Sequence, residues 1–78
     1  MTPTQAGPVA VQSSLLSSAA YQVGESVLQL EFRDGAIYRY FDVPAAVYGD
    51  LLAADSKGAY FNKHIRGCFR HILLRRPQ

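Results

Sequence analysis

The chain has 78 residues, of which 49% are hydrophobic and 18% charged, and its formal net charge is +2. This length allows one small domain at most, and no apolar run reaches the roughly 18 residues of a membrane-spanning helix, so we expect a soluble protein without a membrane partner. The single cysteine, Cys68, cannot form an internal disulfide bond, which is typical of a reducing compartment and predicts a cytoplasmic protein.

Residues 1–14 consist mainly of small and polar residues with interspersed Pro and Gly, without a sustained period. This composition predicts a disordered N-terminal arm. Its apolar run, Val9–Val11, is too short for the core of a signal peptide, and no basic residue precedes it. We therefore expect a single domain over residues 15–75 and a flexible C-terminus at residues 76–78.

The first predicted elements are strands. Residues 21–23 (Tyr-Gln-Val) predict a short strand, and Val27–Arg33 predicts a second one, because its apolar and polar residues alternate as in a half-buried strand. Asp34-Gly35 is a strong hairpin signal. The following Ala36–Phe41 is rich in aromatic and β-branched residues and predicts the partner strand.

The register of this hairpin decides which side chains of the partner strand are buried. A two-residue turn would bury Arg39 and expose Tyr38 and Tyr40. A three-residue turn, with Gly35 in the left-handed conformation, would bury both tyrosines and leave Arg39 with Ile37 on the opposite face. Both registers are open, and the second is favoured because it avoids a buried guanidinium group.

Two helices are predicted next. Asp42-Val43-Pro44 is typical of the start of a helix, with proline at the first helical position. The apolar residues that follow recur on one helical face; they are Val47, Tyr48, Leu51 and Leu52. Ser56 is the predicted N-cap of the second helix, which runs to Arg66 and ends at Gly67. We expect Phe61 and Ile65 to be its buried pair.

The remaining stretch, Cys68–Leu74, predicts a final strand. The predicted order is therefore β-β-β-α-α-β. This order corresponds to an α+β fold in which a small antiparallel sheet, a three-stranded meander plus the C-terminal strand, packs on two short helices.

Three motifs together resemble the KTSC domain family. They are residues 38–40 (Tyr-Arg-Tyr), residues 43–44 (Val-Pro) and residues 56–66 (Ser-Lys-Gly-Ala-Tyr-Phe-Asn-Lys-His-Ile-Arg). The resemblance covers about Leu16 to Ile72. The family takes its name from the C-terminal extension of some bacterial lysyl-tRNA synthetases and also occurs as short stand-alone bacterial or phage proteins. Its attachment to a synthetase implies RNA binding, an implication by association that a stand-alone copy does not inherit automatically.

The charged residues divide the chain into two parts. Residues 1–55 contain two basic and six acidic residues, whereas residues 56–78 contain six basic residues and no acidic one. The basic residues of the second part are Lys57, Lys63, Arg66, Arg70, Arg75 and Arg76. This distribution predicts an anionic partner, such as RNA or another phosphate-bearing or acidic polymer, at the C-terminal end of the chain.

Ser56, Lys57 and Gly58 form the first candidate site. A hydroxyl group, free N–H groups, a flexible glycine and a lysine at a helix start suit a phosphate oxygen. The structural alternative is that Ser56 caps the helix while Gly58 allows a close approach of another segment. Both interpretations are open.

The second candidate site is a basic face on the same helix and the last strand. Lys63 and Arg66 are three residues apart and so share a helical face, with Asn62 and His64 beside them and Arg70 following. These side chains could contact the phosphates of a nucleic acid. Alternatively, the helix cations only complement the helix dipole, and Arg70 is merely solvated.

Tyr38 and Tyr40 could stack on bases, as aromatic pairs on the sheets of several RNA-binding modules do. In the favoured register they belong to the core, and a protein contact is a third possibility. Cys68, His64 and His71 have the residue types of a thiol–imidazole pair or a metal site, but no orienting carboxylate or fourth ligand accompanies them. We therefore expect no catalytic residue, no metal site and no cofactor.

These observations predict a non-enzymatic nucleic-acid-binding module, most consistent with RNA, that uses its basic C-terminal helix and strand for phosphate contacts. The alternative is a protein-interaction module or homodimer that uses aromatic and apolar residues at the edge of the sheet, with Ile37 and Phe41 as the exposed contacts.

Overall fold

The computed structural model describes residues 5–78, and side chains from residue 8 onward. The strands are β1 (Gln5–Ala10), β2 (Leu16–Gln22), β3 (Val27–Phe32), β4 (Ile37–Tyr40) and β5 (His71–Arg75). Between β4 and β5 lie two α-helices and a π-helical segment, namely α1 (Ala45–Ala53), α2 (Lys57–Tyr60) and the π-helical segment (Phe61–Ile65).

The five strands form one antiparallel sheet whose spatial order is the chain order, β1-β2-β3-β4-β5. The largest fully buried side chains are Leu16, Leu28, Leu30, Val43, Leu51 and Ile65. Because these come from the central strands, the β4–α1 loop, α1 and the π-helical segment, the core lies between one face of the sheet and the helices. The α+β class is thus confirmed, with one strand more than predicted. No helix within residues 5–78 is both long and apolar enough to span a membrane.

The additional strand is β1, which occupies much of the region where the sequence predicts a disordered arm. Its backbone pairs with β2, with Val9 opposite Ala19 and Ala10 opposite Ser18. Pro8 lies within a register shift between Ala6 and Val9, an irregularity at a sheet edge where a missing N–H group is tolerated. The prediction of disorder is therefore wrong for residues 5–10, while residues 1–4 lie outside the described part.

The β3–β4 hairpin adopts the favoured register. Tyr40 lies opposite Leu28 and Tyr38 opposite Leu30, while Arg39 lies opposite Gln29. Gly35 has a φ of +94°, in the left-handed region that glycine adopts without a Cβ clash. Both tyrosines consequently face the core side of the sheet. Arg39 lies on the opposite face, where its guanidinium group donates a 3.0 Å hydrogen bond to the side-chain oxygen of Gln29.

The second helix begins as predicted and ends differently. The Ser56 hydroxyl accepts a 3.2 Å hydrogen bond from the backbone N–H of Ala59, which confirms the N-cap. Phe61 and Ile65 are buried, also as predicted. The helix then widens, because the backbone N–H of Arg66 donates to the carbonyl of Phe61, five residues back, rather than four.

The last strand lies three residues later than its predicted start. The chain turns after Ile65, with Gly67 at a φ of +74°, and the backbone N–H of Cys68 donates to the carbonyl of Ile65. β5 consequently begins at His71. Cys68 is a free, exposed thiol within this turn.

Candidate nucleic-acid interface

A groove with a volume of about 320 Å³ lies between the sheet and the π-helical segment. We call it the aromatic groove. Its aromatic lining consists of Phe32, Tyr38, Tyr40, Phe61 and His71, and its polar lining consists of Asp34, Asn62 and Arg66. The groove combines planar rings with hydrogen-bonding groups, as small-molecule sites and base-binding sites do.

Three rings form one side of the groove. Tyr38 and Tyr40 alternate along β4, so they face the same side of the sheet, and their ring centroids are 6.2 Å apart. His71 lies opposite Tyr40 in the β4–β5 register. Its ring centroid is 5.6 Å from that of Tyr38 and 5.4 Å from that of Tyr40. Strand pairing therefore places an imidazole beside the two phenols.

Phe61 forms the other wall. Its ring meets those of Phe32 and Tyr40 edge-to-face, at centroid distances of 5.2 and 6.0 Å. Such edge-to-face contacts stabilise an aromatic cluster beyond the burial of its area. The wall that carries Phe61 is consequently held against the rings of the sheet.

The polar residues Asn62 and Arg66 lie where the π-helical segment borders the groove. The guanidinium group of Arg66 donates a 3.4 Å hydrogen bond to the side-chain oxygen of Asn62. Burial is the main cause that raises the pKa of Tyr40 to about 12, and the neighbouring Tyr38 contributes to the increase. The positive charge of Arg66 lowers this pKa but does not offset the other two effects. The phenol of Tyr40 is therefore neutral at physiological pH, and Arg66 is the cation of this region of the groove.

Asp34 lines the groove at the hairpin. One of its carboxylate oxygens, Oδ1, accepts a 3.0 Å hydrogen bond from the backbone N–H of Ala36. Ala36 and Tyr40 both line the groove, and the four backbone steps between them span about 13 Å at the usual rise of a strand. The groove thus has a carboxylate near the hairpin and a guanidinium group near the π-helical segment.

The predicted phosphate site at the start of α2 has structural roles. The hydroxyl of Ser56 caps the helix, and the ammonium group of Lys57 donates a 3.0 Å hydrogen bond to the carbonyl of Ala54. A Cβ atom on Gly58 would lie 3.3 Å from the Cβ of Leu15, so glycine permits a close approach there. These contacts favour capping and packing over phosphate binding at Ser56, Lys57 and Gly58.

The other predicted contact residues are separated from the groove. Lys63 and His64 are exposed on the π-helical segment, and the His64 ring packs on Tyr60 at a centroid distance of 4.5 Å. Arg70 lies over the ring of Phe41, 4.9 Å from its centroid. Of the predicted set, the structure brings together Tyr38, Tyr40, Asn62 and Arg66.

Acidic residues of the first part of the chain approach two of the C-terminal cations. Arg75 forms a 2.9 Å ion pair with Glu31, and Arg70 lies 4.0 Å from the carboxylate of Asp42. Within residues 5–78, Lys63 and Arg66 form no ion pair. These two cations are therefore the ones available to an anionic partner near the groove.

Among the groove residues that the sequence did not predict as contacts are His71 and Asp34. His71 enters the site through its position opposite Tyr40, which depends on the register of β5 and has no local signal in the sequence. Asp34 was recognised only as a turn residue. Within the described part of the chain, no three His, Cys, Asp or Glu side chains come together as metal ligands.

Comparison with known proteins gives several similar chains. The model of the KTSC domain family matches residues 12–69. A protein of Tsukamurella paurometabola is 42% identical over 64 residues, which cover 82% of this chain and 96% of that protein. An uncharacterised protein of Stutzerimonas stutzeri is 49% identical over 55 residues, covering 70% of this chain and 78% of that protein.

A longer relative and a solved structure extend this comparison. A lysine–tRNA ligase of Nostoc punctiforme is 41% identical over 63 residues, which cover 81% of this chain but 11% of the ligase. The crystal structure of a KTSC domain protein from Yersinia pestis matches with a TM-score of 0.85 and 30% identity, over 88% of this chain and 97% of that one. The chain therefore belongs to the KTSC domain family.

Proposed function

We propose that this domain is a non-enzymatic module that binds single-stranded RNA at the aromatic groove and the basic surface beside it. The observation that carries the proposal is the groove itself, where stacked rings lie next to a guanidinium group without an ion pair. Proteins that bind single strands combine these two features, aromatic rings for the bases and cations for the backbone.

Within the groove, the rings differ in accessibility. Tyr40 is only 4% exposed and supports the others, whereas Tyr38 is half-buried and His71 is exposed. An unpaired base would therefore stack on Tyr38 and His71. Stacking of this kind contributes about 1–3 kcal/mol per base and tolerates different sequences, because every base has a π-face.

The cations would contact the phosphates. Arg66 and Lys63 are the principal contacts, since neither forms an ion pair within residues 5–78. Arg70 is peripheral, and Asn62 and His64 are secondary polar contacts, whereas the Lys57 ammonium group is engaged with the carbonyl of Ala54. Because such contacts release counterions from the nucleic acid, the affinity should fall steeply with salt concentration.

The relatives support RNA over DNA. Several lysine–tRNA ligases contain a segment 38–42% identical to this chain. A module that binds RNA fits an enzyme whose name includes a tRNA, and it would place the present protein in the cytoplasm, where tRNA is used. An interaction with protein is the second candidate function, favoured by the exposure of all five residues of β5.

Salt dependence of RNA binding tests the proposal. We expect the double variant Lys63→Ala, Arg66→Ala to bind a mixed pool of short single-stranded RNA more weakly. Each lost phosphate contact should reduce the slope of log affinity against log salt concentration by roughly 0.7. Fluorescence anisotropy at several salt concentrations measures this slope, and amide NMR spectra verify that the variant is folded.

A matched control is Arg33→Ala, which removes an exposed cation outside the aromatic groove. This variant should retain the wild-type slope. If the double variant also retained that slope, Lys63 and Arg66 would not be phosphate contacts. If the wild-type protein showed no binding even at low salt, the RNA function itself would be wrong.

A further inference from the structure

The aromatic groove has different hydrogen-bonding capacities at the π-helical segment and at the hairpin. At the π-helical segment, the side-chain oxygen of Asn62 accepts a hydrogen bond from Arg66. The side-chain groups that remain for a ligand there are donors, namely N–H groups of the Arg66 guanidinium and of the Asn62 amide. A guanidinium group suits phosphate oxygens in both charge and geometry. This part of the groove therefore fits a phosphate group.

At the hairpin, the groove presents an acceptor. Asp34 uses Oδ1 to accept from the backbone N–H of Ala36, and its second carboxylate oxygen has no hydrogen-bond partner within the described residues. A carboxylate can only accept hydrogen bonds. It would bind a group that carries N–H donors and repel a carbonyl oxygen.

The dimensions of the groove limit its occupant. Its volume of about 320 Å³ is at the lower end of the range of about 300–1,000 Å³ of ligand sites. That space suits a single nucleotide, with its ring against Tyr38 and His71, rather than a run of stacked bases. The acceptor at the hairpin and the donors at the π-helical segment line the same groove.

We infer that the aromatic groove binds one nucleotide of an RNA strand and selects a base with an exocyclic amine. In this arrangement the phosphate binds Arg66, and the amine of cytosine, adenine or guanine donates to Asp34. Uracil presents a carbonyl oxygen where cytosine has its amine, which would face the carboxylate unfavourably. The inference rests on the proposed RNA-binding function and adds base selection to it.

Two RNA probes of equal length and ring size test this selection. Hexacytidylate and hexauridylate are titrated into the full chain at one salt concentration, and fluorescence anisotropy gives the two affinities. We expect hexacytidylate to bind at least about tenfold more tightly, the effect of one hydrogen bond to a charged group. Amide NMR shifts should include Asp34, Tyr38 and His71.

Asp34→Asn is the decisive variant. Asparagine retains an oxygen for the N–H of Ala36 and is favoured in turns, so the hairpin is preserved. It replaces the second oxygen with an amide donor, which should abolish or invert the preference for hexacytidylate. The matched control Asp50→Asn removes the same charge from an exposed position of α1 and should retain the preference.

A second variant tests the phosphate contact independently of the hairpin. Arg66→Gln should weaken both probes by a similar factor, about five- to tenfold, and leave their ratio unchanged. Equal binding of the two probes by the wild-type protein would overturn base selection while leaving RNA binding intact. An unchanged preference in Asp34→Asn would overturn the assignment of that selection to the Asp34 carboxylate. Failure of both probes to bind would overturn the proposed function as well.

Discussion

The stacked rings of Tyr21 and Tyr48 connect β2 to α1, with centroids 5.2 Å apart and ring planes inclined by 13°. Their hydroxyl groups have different surroundings. The Tyr21 hydroxyl donates a buried hydrogen bond to the carbonyl of Val43. The Tyr48 hydroxyl is buried without a partner in the described part of the chain, and burial raises the pKa of this phenol. We therefore expect the tyrosine hydroxyl group to stabilise the fold at Tyr21 and to destabilise it at Tyr48, although the two rings are stacked.

Replacing each tyrosine by phenylalanine tests this difference. Tyr21→Phe should lower the free energy of unfolding by about 1–3 kcal/mol, because the buried carbonyl of Val43 loses its partner. Tyr48→Phe should leave it unchanged or raise it by up to about 1 kcal/mol, because an unpaired polar group is removed. Urea unfolding measures both variants, and similar losses in the two would contradict the assignment.

At the scale of single elements, β1 shows where sequence patterns stop being informative. Residues 5–10 lack an alternation of apolar and polar side chains and contain Pro8. Their strand conformation comes from backbone pairing with β2, which any sequence with a free N–H and C=O can provide. Periodicity does not reveal such an edge strand. By contrast, β3 was predicted from its alternating side chains, and β4 from the Asp34-Gly35 turn signal and its aromatic and β-branched residues.

Deleting residues 1–10 tests whether β1 contributes to stability. We expect the free energy of unfolding to fall by about 1–3 kcal/mol, because β2 loses the hydrogen bonds of one edge, partly offset by the entropy of ordering β1. Thermal and urea unfolding measure the change, with a deletion of residues 1–4 as the reference. If the two deletion variants had the same free energy of unfolding, residues 5–10 would contribute nothing to stability and would behave as the arm that their composition predicts.

The candidate site was predictable only in part, for a similar reason. Tyr38, Tyr40, Asn62 and Arg66 could be named because their residue types suit RNA and because the hairpin register follows from avoiding a buried Arg39. The π-helical segment has no signal in its sequence, yet it sets which residues border the groove. Asn62 and Arg66 are four residues apart, so they would be neighbours in a regular helix too, and both line the groove, whereas Lys63 does not. The sequence had predicted that Lys63 and Arg66 share a face, as they would in a regular helix.

At the scale of the whole molecule, folding brings the acidic and basic parts of the chain into contact. Glu31 pairs with Arg75, and Asp42 approaches Arg70. The acidic and basic residues are therefore closer together in the folded domain than their positions in the sequence indicate. These pairs are exposed and each contributes at most about 1 kcal/mol. They leave Lys63 and Arg66, at the π-helical segment, without an ion pair within residues 5–78.

The exposed edge of β5 raises the question of self-association. A second copy could pair antiparallel about Leu73, but Arg70 would then lie opposite Arg76 at both ends of the pair. Like charges directly opposite one another destabilise a strand pair, and salt screens them. We therefore expect a monomer at low salt and a rising average mass at high salt in analytical ultracentrifugation. Leu73→Lys should abolish the rise, and a stable dimer at low salt would contradict this view.

The strand order of the sheet also sets the order in which the domain can form. Each of β2, β3 and β4 pairs with the strand just before it, so the meander can form progressively as the chain is synthesised. β5 can pair with β4 only after both helices have been synthesised, because 30 residues that contain them separate the two strands. Closing this longer connection brings His71 to Tyr38 and Tyr40 and completes the aromatic groove. The aromatic groove is therefore the last part of the molecule to assemble, and a nascent chain that lacks β5 would hold a folded meander without the surface that we propose binds RNA.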